Sequence, residues 1–350
     1  MTNKNLNWNT DSELTPAGST CSKLAEPFLL APAGKDYLWG GTRLRDDFGK
    51  QIDLTPLAET WECSTHPDGP SVAASGEFSG QNLTQVLREH PEFLGTHPRT
   101  KGELPVLIKL IDAKKDLSVQ VHPDDAYAMK NENGSLGKTE MWYVLDAAPG
   151  TQLVYGFRHA MTPEQLREGI ASGTIDKYLQ KVPVKKDDVF FVPAGCVHAI
   201  GAGALSAEIQ QSSNLTYRLY DYNRVDKNGQ LRPLHIEKAL QVADLSGNAE
   251  PRQPMRTYRF NNGFESELLC RCKYFQTERI RLNTERCREK AKLQAGSNSF
   301  MVLLCTSGCG VMFWGNGKVL EFYKGDCVFV PANSEEIKIH GQAQFLKVTC

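Results

Sequence analysis

The sequence predicts a mainly β protein made of two β-rich domains with short helical inserts, and three observations lead there. From Pro27 onward short apolar runs alternate with Gly, Pro, Asn and Asp, the pattern of many strands joined by turns. Only a few stretches carry the apolar period of a helix. The third observation is an internal echo: KKDDVFFVPAGCVHAI, from Lys185, lines up with YKGDCVFVPANSEEIKI, from Tyr323, so one strand-turn-strand unit occurs twice. A chain of 350 residues has room for one large or two medium domains. Its 40 Lys and Arg against 41 Asp and Glu leave a net charge of −1, so no general field draws it to nucleic acid or to an anionic membrane.

Residues 1–26 read as a polar tail, because MTNKNLNWNTDSELTPAGST lacks the apolar run of a secretory signal. The longest apolar runs, such as Phe300 to Cys305, fall well short of the roughly 20 residues that span a bilayer. Ten scattered cysteines without an export signal point to reduced thiols and a cytoplasmic location. Cys270 with Cys272, and Cys305 with Cys309, lack the CxxC spacing of a structural zinc site. LPVLIKLIDA, TEMWYVLDA, TQLVYGF, DDVFFVPAG, SAEIQQ and LTYRLYDY read as strands. Helices are expected at Asn82 to Glu89, Thr162 to Ser172 and His235 to Gln241, the second opened by an N-cap Thr with Pro behind it. Inserts at about 82–94 and 161–182 then cap the first domain. The polar linker SGNAEPRQP separates a first domain, about Pro27 to Val242, from a second, about Met255 to Cys350, dividing the chain into 27–250 and 251–350.

The chemistry concentrates in a few segments. In LSVQVHPDD, strand alternation puts Ser118, Gln120 and His122 on one face and Val119 and Val121 on the other. Burying each of those polar groups unpaired would cost about 1–3 kcal/mol, so the face suits a ligand-lined barrel interior. A solvent-facing edge strand would account for it equally well. Lys138 and Glu140 share a face at the start of the next strand, and the turn at Pro193 delivers His198. His122, His198, Glu140 and the amide oxygen of Gln120 make a mixed nitrogen and oxygen shell suited to a borderline divalent ion such as zinc, with positions left open. In the echo, Cys196, Val197 and His198 are replaced by Ser334, Glu335 and Glu336, so the second copy lacks the histidine.

Arg218 inside TYRLYDYNR either pairs with a carboxylate or faces a site, where its fork suits phosphate or an enediolate oxygen. Lys109 inside VLIKLI is out of place unless it points into a wet cavity, where burial would lower its pKa and suit it to proton transfer. Two decoys are set aside. Gly201-Ala202-Gly203-Ala204 lacks the third glycine of a dinucleotide fingerprint and reads as a hairpin turn. His66-Pro67-Asp68-Gly69 reads as a plain turn.

With those residues in view, LSVQVHPDD, GKTEMWYVLDA, FVPAGCVHAIG, TYRLYDYNR and YLWGG near Trp39 closely resemble the type I mannose-6-phosphate isomerases, specifically their shorter bacterial group. The likeness runs from about Pro27 to the C-terminus. It implies a double cupin, two jelly-roll β-barrels of which the first holds one Zn2+ per chain and the second none. It implies Gln120, His122, Glu140 and His198 as metal ligands, Arg218 as the catalytic arginine, Lys109 and Lys138 near the substrate, Ser118 near its phosphate and Glu208 in the same cavity. Longer relatives carry a His ahead of the Lys-x-Glu motif, where Gly137 stands here.

The reaction implied is reversible interconversion of D-mannose 6-phosphate and D-fructose 6-phosphate through a cis-enediol. Lys109, Lys138 and Glu208 share the proton transfer, Arg218 stabilises the oxyanion, and Ser118, Lys138 and Arg218 bind the substrate. A hexose phosphate is then the only partner expected, with no nucleic acid and no membrane, for a monomer or weak homo-oligomer. Two rivals use the same shell: a metal-dependent cupin oxygenase and a non-catalytic sugar-phosphate-binding cupin.

Overall fold

The computed structural model describes residues 25–97, 102–225, 229–247, 250–251 and 256–350; the tail expected over 1–26 falls almost wholly outside them. Strands hold 41% of the described residues and helices 14%, so the protein is mainly β, as a double cupin requires. The first part contributes β1 (Phe28–Ala31), β2 (Ala33–Lys35), β3 (Glu59–Cys63), β4 (Val72–Ala73), β5 (Val106–Asp112), β6 (Val119–Val121), β7 (Glu140–Ala147), β8 (Gln152–Phe157), β9 (Leu179–Pro183), β10 (Val189–Val192), β11 (His198–Ala199), β12 (Ala204–Gln211) and β13 (Tyr217–Tyr220). Six of them form the sheet β10-β7-β12-β5-β3-β2 and five form β13-β6-β11-β8-β9. The two sheets meet where Trp142 and Phe190 of the first pack with Leu153, Tyr155 and Val182 of the second. Every residue of β5 and β12 is buried, so the polar side chains they carry, Lys109, Glu208, Gln210 and Gln211 among them, lie in the interior.

The second part contributes β14 (Thr257–Asn261), β15 (Phe264–Arg271), β16 (Gln276–Asn283), β17 (Ala291–Leu293), β18 (Met301–Trp314), β19 (Lys318–Tyr323), β20 (Cys327–Val330) and β21 (Ile337–Thr349). They join one long sheet, β14-β15-β16-β21-β18-β20-β1-β4, with β17 on β21 and β19 on β18. Sheet membership does not follow a division at residues 250 and 251. Phe28 of β1 pairs with Phe329 of β20, and β4 continues the sheet beyond β1. An apolar cluster holding Phe28, Phe275, Phe300 and Phe329 with Ile108 and Met141 joins the two parts.

The echo is real in three dimensions. β10 and β20 each run into a proline turn and then into β11 and β21. Two residues after the proline, Gly195 has φ 88° and Asn333 φ 57°, the left-handed conformation that glycine adopts freely and asparagine tolerates. Helices form at Leu83–Glu89, Pro163–Ala171 and Ile236–Val242, the second opened by a capping box of Thr162 and Gln165. Three details differ from expectation. The end of the 161–182 insert is β9, which pairs with β8. A helix at Asp125–Asn131 adds to the expected set; Asp124 caps it, accepting from Tyr127 N at 2.8 Å. The Gly201–Ala204 turn is no hairpin, because it joins β11 of one sheet to β12 of the other.

Candidate metal centre and active site

Backbone bonds bring the site segments together before any side chain is considered. Gly195 N donates to His122 O at 2.9 Å and Lys138 N to Pro123 O at 3.0 Å, tying the turn after Pro193, the HPDD segment and the start of β7 to one another. Asp125 Oδ1 accepts from Gly137 N at 3.0 Å and from Gln211 Nε2 at 2.8 Å, fastening the same junction to β12. No side chain fits at Gly137, since a Cβ there would lie 2.4 Å from the Asp124 backbone. The histidine expected ahead of Lys138 in longer relatives is therefore sterically excluded. In the five-stranded sheet His198 lies opposite Gln120, and Gln120 opposite Arg218, so three distant positions form one row across three strands.

His122, Glu140 and His198 offer ligand atoms that all lie within 4.8 Å of one another, and all three residues are buried. His122 Nε2 is 3.1 Å from Glu140 Oε1 and His198 Nε2 is 3.7 Å from Glu140 Oε2. His198 Nδ1 sits 2.9 Å from the Cys196 carbonyl, which fixes its proton there and leaves Nε2 bare. Burial, reinforced by the Lys138 charge, pushes the pKa of His122 down to about 3, and burial lowers His198 as well, so both rings are neutral, as ligation demands. Burial alone would raise Glu140, but Lys138 and then His122 outweigh it and hold the carboxylate well below its ordinary value. Glu140 Oε1 lies 2.6 Å from Lys138 Nζ, yet it accepts no well-formed hydrogen bond. A bare His198 Nε2, a neutral His122 ring whose Nε2 lies 3.2 Å from Lys138 Nζ, and an under-satisfied buried carboxylate oxygen suit a divalent cation. Gln120 borders the group, its Nε2 3.4 Å from His198 Nε2; half a turn of the amide puts Oε1 there.

On the six-stranded sheet Lys109, Glu208 and Trp142 are cross-strand neighbours. Lys109 Nζ is 3.1 Å from Glu208 Oε1 and 3.6 Å from Glu59 Oε2, all three buried. The expected fall in the Lys109 pKa does not occur. Burial works against the charge, but Glu59 and then Glu208 outweigh it and raise the pKa, so Lys109 is a fixed cation. Glu208 moves the other way: burial, then the Glu140 charge, push its carboxyl up, and Lys109 offsets this only in part. Ser118 Oγ accepts from Arg218 Nε at 3.3 Å, and Arg218 Nη1 donates to Pro233 O at 2.9 Å. Beside them Asp221 binds both Arg224 and Arg232.

Sequence reasoning misses Glu59, Trp61, Trp142, Asp125 and Gln211. The two tryptophans carry a signal, since Glu-x-Trp occurs both in ETWEC and in EMWYV, and alternation puts each pair on one strand face.

The fold and the site together define a double cupin with a buried centre of two histidines and one carboxylate in its first barrel. Residues 28–145 match the model of the phosphomannose isomerase type I catalytic domain. Mannose-6-phosphate isomerase ManA of Bacillus subtilis strain 168 is 38% identical over 323 residues, covering 91% of this chain and 97% of the relative. Mannose-6-phosphate isomerase of Streptococcus mutans is 36% identical over 326 residues, 92% of this chain and 98% of its own. The crystal structure of the mannose 6-phosphate isomerase from Bacillus subtilis matches with a TM-score of 0.85 at 34% identity, covering 93% of this chain and 99% of that one. The chain belongs to the type I phosphomannose isomerases, in the shorter bacterial group, and is an isomerase.

Proposed function

We propose that this isomerase interconverts D-mannose 6-phosphate and D-fructose 6-phosphate with one zinc ion per chain, held by His122, Glu140, His198 and the turned amide of Gln120. The observation that carries the reading is that the buried His122–Glu140–His198 group and the Lys109–Glu208 pair adjoin, Glu140 and Glu208 lying on paired strands with the Trp142 indole nitrogen within 3.1 Å and 2.9 Å of their Oε2 atoms. Bound zinc supplies a Lewis acid for the sugar oxygens. The remaining chemistry belongs to side chains of this chain. Glu208, whose carboxyl is pushed toward neutrality, suits the proton transfer between C2 and C1. Lys109 keeps its proton and acts as a fixed positive charge beside Glu208, while Lys138, reaching from the start of β7, faces both substrate and metal group. Arg218 offers a permanently charged fork to the enediolate oxygen, and with Ser118 it orients the phosphate-bearing substrate.

Within this reading residues 27–250 carry the catalytic, metal-binding cupin and 251–350 a cupin without metal. We take the enzyme to act as a monomer or weak homo-oligomer. We place it in the cytoplasm, where charged hexose phosphates are retained; among the described residues no helix is long and apolar enough to cross a membrane. Neither a nucleic acid nor a membrane partner enters the mechanism. A coupled assay with mannose 6-phosphate, run beside elemental analysis of the same preparation, tests the reading. Chelation is expected to abolish turnover and zinc to restore it. Full turnover in metal-free enzyme, or none after zinc is restored, would overturn it.

A further inference from the structure

Trp142 is fully buried on β7, two residues beyond Glu140 and on the same strand face. Its indole nitrogen carries one hydrogen and has two acceptors within reach: Glu208 Oε2 at 2.9 Å and Glu140 Oε2 at 3.1 Å. The ring also meets the edge of the His198 imidazole, with centroids 5.3 Å apart at 70°. Each carboxylate thus has one oxygen on the indole and the other on a working partner. Glu140 Oε1 faces His122 and Lys138, and Glu208 Oε1 faces Lys109.

We propose that the Trp142 indole N–H is a positioning group that sets the rotation of both acids at once, linking the metal centre to the proton-transferring carboxylate. This rests on the functional reading above. Without that donor two buried carboxylates would confront each other with nothing between them, and each would lose its fixed torsion.

Two features separate this from ordinary core packing. Trp314 occupies the apolar interior of the second barrel, and there the indole nitrogen is buried with no hydrogen-bond partner among the described residues. A barrel tryptophan therefore does not need an acid to be accommodated in this fold. At the far side of Lys109 the device recurs: Trp61 Nε1 donates to Glu59 Oε2 at 2.7 Å. Two tryptophans hold the acids on either side of one lysine.

Trp142→Phe removes the N–H while keeping an aromatic ring, and Trp142→Gln removes the ring while keeping an N–H donor. Zinc affinity is read by competition with a chromophoric chelator, the site's symmetry by the absorption spectrum of the cobalt(II)-substituted protein, and kcat and KM separately. Trp142→Phe is expected to weaken zinc binding by roughly 10- to 100-fold, the range seen when groups orienting a metal ligand are removed, and to alter the cobalt spectrum. The loss should fall on kcat more than on KM, and Trp142→Gln should recover part of the zinc affinity. A folded Trp142→Phe protein with wild-type affinity, spectrum and kcat overturns the proposal.

If that variant does not fold, wild-type protein labelled with nitrogen-15 at its five tryptophans decides. Two indole N–H resonances, those of Trp61 and Trp142, should lie downfield, as charge-assisted donors do, and that of Trp142 should move when zinc is added to the metal-free protein. No movement in any of the five overturns the proposal. Wild-type enzyme that neither binds zinc nor turns over mannose 6-phosphate would overturn the functional reading beneath it instead.

Discussion

The two barrels contain the same strand-turn-strand unit and put their interiors to opposite uses. In the first, the inward positions include Glu59, Lys109, Glu140, His198 and Glu208, all buried. In the second they are Met301, Leu303, Met312, Trp314, Phe322 and Phe345, an ordinary apolar cluster. At the position after the turn that corresponds to His198, Glu336 is exposed and 3.4 Å from Lys292. The comparison teaches that the turn geometry, with Gly195 and Asn333 both at positive φ, is a property of the scaffold, whereas the chemistry follows from which residue types face inward. One interior holds charges at a cost in desolvation; the other supplies packing.

Removing a proposed metal ligand from the first barrel is the strongest test of that contrast. His198→Ala should strip the metal from the protein and reduce turnover to assay background, checked by elemental analysis beside the coupled assay. Next come two substitutions of similar size and different kind. Lys109→Met leaves Glu59 and Glu208 buried without their cation, and should destabilise the fold by about 3–5 kcal/mol in urea unfolding. Phe345→Ala opens a hole in the second interior and should cost about 3–5 kcal/mol too, with zinc affinity unchanged. Loss of zinc binding in Phe345→Ala would show that the barrels are not functionally separate.

A smaller effect comes from pH. Folded His122 is held down to about 3 from its ordinary 6.5, so between those values the unfolded chain binds a proton that the fold excludes. Its contribution to stability is complete above that window and is lost as pH falls through it. The urea midpoint of metal-free protein should therefore drop between neutrality and about pH 5, and less so in His122→Asn. The smallest change is expected at the exposed echo position, where Glu336→Ala should stay within about 0.5 kcal/mol of wild type.

Much of the site is legible in the amino-acid order. Gln120, His122, Glu140 and His198 stand in long motifs, and strand alternation puts Gln120 on the face opposite Val119 and Val121, which pack with Tyr217 and Leu219. Lys109 and Glu208 are visible as charges inside apolar strands. The part played by the lysine is not legible, because its pKa follows from the two carboxylates across the strands rather than from burial alone. Trp142 reads as an apolar core residue, since a sequence cannot say where one N–H points. The missing hairpin at Gly201–Ala204 has a similar origin: local turn chemistry is the same whether the following strand returns to its own sheet or crosses to another.

The order of residues alone determined the strand periodicity, the duplicated unit, the loss of histidine from its second copy and the types of ligand available, because all of these are local patterns or identities. Tertiary structure alone decided that β1 and β4 join the sheet of the C-terminal part, that Lys109 stays charged, and that a single indole hydrogen lies between two acids. These depend on strand pairings and distances between residues tens to hundreds of positions apart, and such distances are set by how whole sheets pack.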